Sequence, residues 1–228
     1  KVLTDVKGRP MLSYVLDTVS SVHKHKPVIV IGYQGDVVKQ HFGESYRYVE
    51  QKEQKGTGHA ASVALHAIRP EAKHVLVLYG DQPLINPNTV KSIYESHISQ
   101  KANAAGGISP VTLATVTVPD FEDWRKPFYD FGRIIRDAQG AIVRIVEKKD
   151  ASEAERAITE VNPSYFCFDA DWFRGNINKI DTKNTQGEYY LTDIVAIAQK
   201  GGYKLNSQSI PPQEALGVNT PEQLEAVL

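Results

Sequence analysis

Two groups of residues in this chain have types and spacing suited to phosphate, a cation and a planar base. The first is Tyr79-Gly80-Asp81-Gln82-Pro83, which follows the apolar run Val75-Leu76-Val77-Leu78. A short β-branched run of this kind suits a strand covered on both faces, so Asp81 is delivered to the point where that strand ends. Open α/β sheets place their ligands there. Gly80 allows close approach of a ligand and Pro83 prevents the ladder from continuing. Asp81 can hold a divalent cation at such a crevice, or it can cap a turn before Asn86-Pro87-Asn88, and the segment alone favours neither. The second group is Gln51-Lys52-Glu53-Gln54-Lys55-Gly56-Thr57-Gly58-His59-Ala60, where two amides and a two-glycine turn lead into a helix amino terminus. Gln51 and Gln54 carry the donor and acceptor atoms that an imide edge requires, while Gly56 and Thr57 offer backbone groups and a hydroxyl at close range. The competing reading is a polar turn that caps the helix.

The elements that must position these residues alternate through the first half of the chain. A helix is expected over 10–22, with Met11, Leu12, Val15, Leu16 and Val19 at helical spacing and Pro10 in its first turn. A buried strand over 27–33, a short helix over 36–42 ended by Gly43, and a strand over 46–50 follow. Ala60, Val63, Ala64, Ala67 and Ile68 mark a further helix, and Val90, Ile93, Tyr94 and His97 share one face of another over 89–99. Alternation of this kind predicts βα units around a mixed, mostly parallel sheet flanked by helices. The second half differs. Residues 111–118 alternate at period two, and 140–146 and 161–169 read as strands that add antiparallel to the sheet. Leu191, Ile194, Val195 and Ala198 form a helical stripe, and Thr220, Pro221 and Gln223 form a capping box near the end. The fold class expected is α/β, a Rossmann-like single domain over residues 1–228.

Composition narrows the partners. The 228 residues are 41% hydrophobic and 23% charged, an ordinary globular mixture. With 26 basic and 27 acidic residues the formal charge is −1, which argues against nucleic acid and requires that any phosphate be held by a local site. No apolar stretch approaches the roughly 20 residues that span a bilayer, and the first residues lack a secretion signal, so no membrane partner and a cytoplasmic location are expected. Cys167 is the single cysteine, in the apolar run Tyr165-Phe166-Cys167-Phe168, and reads as a buried, inert thiol. His23 and His25 lie among Lys24 and Lys26 at a helix end and receive no ligand role.

Gln51, Gln54-Lys55-Gly56-Thr57-Gly58-His59-Ala60, Tyr79-Gly80-Asp81, Gly132-Arg133-Ile134, Ile145-Val146-Glu147-Lys148-Lys149-Asp150-Ala151, Gln186-Gly187-Glu188-Tyr189-Tyr190-Leu191-Thr192-Asp193 and Gly217-Val218-Asn219 follow one another in order. As a set they closely resemble the uridylyltransferase domain of the bacterial bifunctional UDP-N-acetylglucosamine pyrophosphorylase and glucosamine-1-phosphate acetyltransferase. The resemblance covers nearly the whole chain. It implies a Rossmann-like nucleotidyltransferase fold, and a magnesium-dependent enzyme that joins UTP to N-acetylglucosamine 1-phosphate and releases pyrophosphate. Carried over by matching motif, Gln51, Gly56 and Thr57 would hold the uracil, with Gln54 beside them. Tyr79 and Gly80 would line the crevice. Asp81 and Asn219 would bind magnesium. Gly132, Glu147 and Asn162 would hold the sugar, and Lys1, which matches the lysine of the family's Pro-Lys-x-Leu segment, would contact phosphates. Asn162 on its own reads equally as a strand-edge amide, and residues 186–190 as packing or as a sugar wall. The product class implies a role in supplying nucleotide sugar to peptidoglycan and lipopolysaccharide. The likeness leaves homo-oligomer formation open.

The chain departs from the family pattern in five places. The initial strand and loop of the form Leu-Ala-Ala-Gly-x-Gly-Thr-Arg-Met do not precede Lys1, so a middle rung of the sheet and much of the phosphate cradle are expected to lie upstream in the natural protein. The family's carboxyl-terminal β-helix acetyltransferase domain does not follow. Pro163-Ser164 stands after Asn162 where the family has Thr-Gly, and Phe131 precedes Gly132 where tyrosine is usual. Residues 119–129, with Trp124 and Pro127, make a longer connection than the family carries. Sugar choice is therefore less determined by the likeness than base choice. The alternatives are a uridylyl- or cytidylyltransferase for another phosphorylated acceptor, one of the molybdenum-cofactor type being suggested by Gly80-Asp81-Gln82-Pro83, and a nucleotide-sugar binding module without turnover.

Overall fold

The computed structural model describes residues 1–100 and 108–218. Asn219 and the capping box at Thr220, Pro221 and Gln223 lie outside the described residues. The chain opens with a tight two-stranded hairpin, β1 (Asp5–Val6) and β2 (Arg9–Pro10), which turns through Lys7 and Gly8, both at positive φ. Helix α1 (Met11–Val22) follows, with Pro10 as its N-cap residue and not inside its first turn as expected. Its Met11, Leu12, Val15 and Leu16 are buried at the spacing that marks one helical face.

Strand β3 (Val28–Ile31), helix α2 (Gly35–Phe42) and strand β4 (Arg47–Glu50) make one βαβ unit in which β3 and β4 pair in parallel. Gly43 ends α2 at φ 70°, in the left-handed region that glycine occupies without strain. Helix α3 (Thr57–Leu65) starts earlier and ends sooner than its apolar spacing suggests. Strand β5 (His74–Val77) then leads through residues 78–86 into α4 (Pro87–Ile98). Asn86 is the N-cap of α4 and its side chain accepts from the Asn88 N–H.

The second half supplies β6 (Val111–Thr117), β7 (Gly132–Arg136), β8 (Ile142–Val146), the single turn of α5 (Glu153–Arg156), β9 (Glu160–Asn162), β10 (Phe166–Asp169), α6 (Ala170–Asn176), α7 (Asp193–Lys200) and β11 (Asn206–Ser209). Seven strands form the main sheet in the order β5-β10-β6-β9-β7-β8, with β11 alongside β6. The α/β fold class and the flanking helices are as expected, but the pairing is not mostly parallel. Among the described residues only β3 with β4 and β11 with β6 pair in parallel; the other pairs are antiparallel. The reason lies in the connections. Helices separate β3, β4 and β5, yet among the described residues β3 bonds only β4 and β5 only β10, so the parallel series is interrupted between them. The later strands are short and return directly on one another.

Strand β6 is the middle of the sheet and is buried along almost its whole length. Its period-two pattern therefore divides two covered faces and not a core face from a wet one. Val111 and Leu113 pack with Phe166, Phe168, Phe173, Ile194 and Val195, whereas Ala114 and Val116 pack with Leu16, Ile93, Tyr165 and Cys167. Phe168 and Phe173 stack with centroids 4.1 Å apart, and truncating such a buried ring to alanine costs about 3–5 kcal/mol. Cys167 is fully buried and burial pushes its thiol up to about 12, as an inert core residue requires.

The expected single strand over 161–169 is two strands. Val161 is opposite Val116 and Phe166 opposite Leu113, so the four residues Asn162 to Tyr165 face only Ala114 and Thr115. This bulge carries two extra residues and turns through Ser164 at φ 67°.

Candidate active site

The carboxyl end of β5 is where the two halves of the chain meet. Past Val77 the chain runs through Tyr79 and Gly80 to Asp81, whose side chain is 22% exposed and whose Oδ2 accepts from Lys1 Nζ at 2.5 Å. Gly80 packs so closely under Leu12 that a Cβ would stand 3.0 Å from its Cδ1. Lys1 and Asp81, the residues expected to serve phosphate and a cation, are thus brought together at one rim. From the other end of the chain, the Val218 N–H donates to the Asp81 carbonyl at 2.9 Å. Asn219, the second expected cation ligand, lies outside the described residues.

The loop expected to read the base follows β4. The Gln51 N–H donates to the Ile31 carbonyl at 2.7 Å, extending the β3–β4 ladder, and its side-chain Nε2 donates to the Gly56 carbonyl at 3.0 Å and lies 3.1 Å from His59 Nδ1. The Gln51 amide is therefore held in one orientation. Gln54 folds back over Gly32, whose absent Cβ would stand 3.1 Å from Gln54 Nε2. The two glycines have a cause that the sequence does not display. A Cβ on Gly56 would lie 2.6 Å from the Tyr189 carbonyl oxygen and one on Gly58 3.0 Å from it, and Gly56 has φ 102°. The Gly58 N–H donates to that same carbonyl at 2.7 Å, Tyr189 N–H donates to the Lys55 carbonyl at 2.8 Å, and Leu191 N–H donates to Thr57 Oγ1 at 3.0 Å. No side chain caps α3. The loop is thus neither a simple capping turn nor a wholly open cradle, because one face of it is occupied by residues 189–191.

The same segment reaches the residues expected to hold the acceptor. Thr192 Oγ1 donates to Glu147 Oε1 at 2.8 Å, the Thr185 N–H donates to Asp150 Oδ1 at 2.8 Å, and Lys149 Nζ donates to Gln186 Oε1. Residues 185–192 therefore tie the base loop to the loop that carries Glu147. Gly132 opposes Asn162 across β7 and β9 and leaves room for the Glu147 carboxylate, since a Cβ there would stand 3.4 Å from Oε1 and 2.9 Å from Ile145 Cγ2. Burial raises the Glu147 carboxyl above its usual range, Asp193 and Asp150 push the same way, and the Thr192 hydroxyl and Arg133 act against them. Asn162 is 2% exposed, and Ser164 engages both ends of its amide: the Ser164 N–H donates to Asn162 Oδ1 at 3.0 Å and Asn162 Nδ2 donates to Ser164 Oγ at 3.1 Å. Between the two loops, burial pushes the Tyr79 phenol up to about 12 and keeps it a neutral donor, while hydrogen bonds with Thr57 and Ser164 act against that rise.

Three supports are not visible in the residues that point to chemistry. Arg133 is fully buried, with its guanidinium 4.9 Å from the Phe121 ring and 5.2 Å from the Tyr129 ring. It donates to the carbonyls of Tyr129, Phe131 and Arg156, and so fastens the long connection over 119–129 and α5 to the acceptor strand. Thr192 and Ser164 are the other two. The signal for Thr192 was its place in the run 186–193, and for Ser164 the departure from Thr-Gly.

The residues present fit a magnesium ion held mainly by substrate. Asp81 offers one hard carboxylate, and no group of three or more His, Cys, Asp or Glu side chains fit to hold a metal occurs among the described residues. A triphosphate and water would have to supply the remaining oxygens.

Known proteins resemble this chain in sequence and in fold. The family described as MobA-like NTP transferase domain matches residues 1–126. The chain is 39% identical over 225 residues to "Bifunctional protein GlmU" of Brevibacillus brevis, covering 98% of this chain and 46% of the relative. It is 38% identical over 232 residues to the protein of the same name in Heliobacterium modesticaldum, covering 100% and 48%. The chain thus spans about half the length of these curated relatives. Two solved structures share the fold: 4-diphosphocytidyl-2C-methyl-D-erythritol synthase from Anaerococcus prevotii, at TM-score 0.64 and 16% identity over 98% of this chain and 86% of that one, and CMP:2-keto-3-deoxy-manno-octonic acid synthetase complexed with CTP, at TM-score 0.65 and 17% identity over 99% and 88%. No helix among the described residues is long and apolar enough to cross a membrane. With the family match over more than half its length, the chain is a nucleotidyltransferase and belongs to the MobA-like NTP transferase domain family.

Proposed function

We propose that the protein forms UDP-N-acetylglucosamine and pyrophosphate from UTP and N-acetylglucosamine 1-phosphate, with magnesium, in the cytoplasm. The observation that carries the reading is the convergence of Lys1, Tyr79 and Asp81 at the end of β5 with the base loop on one side and Glu147 on the other, tied together through residues 185–192. Similarity to bifunctional GlmU proteins along 96–100% of the chain supports the choice of substrates.

In this reading an acceptor phosphate oxygen attacks the α-phosphorus of UTP in line with the departing pyrophosphate. That oxygen is already ionised near neutral pH, so positioning and charge neutralisation supply most of the acceleration and no strong general base is needed. Lys1 offsets phosphate charge. Gln51, held by Gly56 and His59, presents a fixed amide edge to uracil, and Tyr79, neutral at physiological pH, donates to a phosphate or sugar oxygen. Glu147 accepts from sugar hydroxyls. Magnesium, on Asp81 and the expected ligand Asn219, would draw charge from the triphosphate oxygens.

The test is pyrophosphate release by the full-length natural protein, with UTP and CTP in parallel against several sugar 1-phosphates, with magnesium or with EDTA. The reading expects release with UTP and N-acetylglucosamine 1-phosphate that stops on chelation. Preference for CTP would move the protein to a cytidylyltransferase, and tight UDP-sugar binding without release would make it a binding module.

A further inference from the structure

Ser164 is a left-handed residue that is not glycine, in a two-residue bulge at the acceptor side. Serine pays for φ 67° with steric strain that glycine would avoid, and such strain persists where surrounding structure enforces it. Here the surroundings do enforce it. Gln82, 6% exposed, donates from Nε2 to the Pro163 carbonyl at 3.2 Å and to the Ala215 carbonyl at 3.1 Å, which braces the bulge from beneath. Tyr165 OH donates to the Glu214 carbonyl at 2.9 Å and fixes its far side.

The hydroxyl at the apex is used, and Ser164 as a residue is only half-buried. Ser164 Oγ accepts from Asn162 Nδ2 at 3.1 Å, so its own proton remains to be donated, and Ser164 is near enough to Tyr79 to act against the rise of its phenol. A glycine at this position would keep the backbone bond from the residue-164 N–H to Asn162 Oδ1 and lose only the hydroxyl contacts. The strained residue thus carries a side chain bonded to Asn162, one of the residues expected around the acceptor.

We propose that Ser164 is a specificity-determining residue for the acceptor: its hydroxyl, held by the Asn162 amide, donates to an oxygen-bearing ring substituent of the sugar 1-phosphate, a hydroxyl or an amide carbonyl. The inference rests on the nucleotidyl-transfer reading above and adds the group that selects the acceptor. Gln82 acts through the bulge as a positioning residue.

Steady-state kinetics on the full-length protein test this with two variants. Ser164→Ala removes the hydroxyl and keeps the strain; Ser164→Gly removes both. Each is expected to raise the acceptor KM about five- to tenfold, the worth of one hydrogen bond, with the UTP KM and kcat changed less than about twofold. Only Ser164→Gly is expected to keep or raise the melting temperature. In a series of deoxy sugar 1-phosphates, one analogue is expected to bind wild type and variants alike, because its missing oxygen is the partner of the missing hydroxyl. An active wild type whose variants keep the acceptor KM within twofold, or raise the UTP KM in proportion, overturns the inference alone. A wild type that releases no pyrophosphate from UTP with any sugar 1-phosphate overturns the functional reading and this inference with it.

Discussion

The base side and the acceptor side of the crevice are built on different principles. On the base side, the small parallel β3–β4 pair and the start of α3 present a loop whose contacts are chiefly main-chain: the Gly58 N–H to Tyr189, the Tyr189 N–H to Lys55, and glycines that let a carbonyl approach to 2.7 Å. On the acceptor side, antiparallel strands hold side chains buried and mutually satisfied, with Asn162 on Ser164, Glu147 on Thr192 and Arg133 on three carbonyls. A loop fixed by its backbone tolerates side-chain change so long as its glycines remain. A site fixed by buried polar side chains changes its selectivity and its stability when one of them is altered. The difference predicts that substitutions on the two sides fail in different ways.

The largest effect should come where the sides meet. Asp81→Ala is expected to lower metal-dependent turnover by about a thousandfold or more, as removal of a principal electrostatic group does, while the melting temperature moves little because Asp81 is a rim residue. Retained turnover would remove Asp81 from the chemistry. On the acceptor side, Arg133→Met should cost about 2–4 kcal/mol in urea unfolding, since three carbonyls lose a charged donor. An unchanged midpoint would show that the buried network is not what holds that side. On the base side, Gln51→Ala should raise the UTP KM about tenfold with a stability change below about 0.5 kcal/mol, the pattern of a lost binding contact. A large loss of stability there would erase the distinction between the sides.

The smallest effects are in pH dependence. Burial, reinforced by Asp181 and Asp150 and opposed by Lys200, raises Asp193 from 3.8 to about 6, so the folded state binds more protons than the unfolded one in that window. Its contribution to stability is present below about pH 4 and falls by about 1–2 kcal/mol as pH rises to 6, allowing for its partial exposure. Burial lowers His97 from 6.5 to about 4, with His74 acting the same way and Asp169 against it, so its contribution is present above pH 6.5 and falls as pH drops towards 4. The two slopes oppose one another. Unfolding titrations from pH 4 to 7 should show a nearly flat wild type, a stability that rises with pH in Asp193→Asn and one that falls with pH in His97→Gln. Parallel curves for all three would contradict the opposed assignment.

Much of the base side is legible in the sequence because its signals are local. An apolar run cut by Gly80 and Pro83 announces the strand end, and Gly56-Thr57-Gly58 announces a constrained helix start. The acceptor side is less legible. Residues 161–169 read as one unbroken strand, and nothing within them reports that four residues face two or that Ser164 turns left-handed; that emerges only from the register with β6. The alternation in 111–118 marks two buried faces as readily as one, so the sheet's centre resembles an added edge. The tie from 185–192 to Thr57 and Glu147 joins residues 134 and 45 positions apart in the chain, beyond any local pattern.

The most direct test of the crevice is a crystal structure of the full-length protein with UDP-N-acetylglucosamine and manganese, read by the anomalous signal of the metal. The account predicts the metal within about 2.0–2.3 Å of an Asp81 oxygen, uracil against Gln51, Gly56 and Thr57, and the sugar between Glu147 and Ser164. A metal bound elsewhere, or a nucleotide lying away from the end of β5, would contradict it.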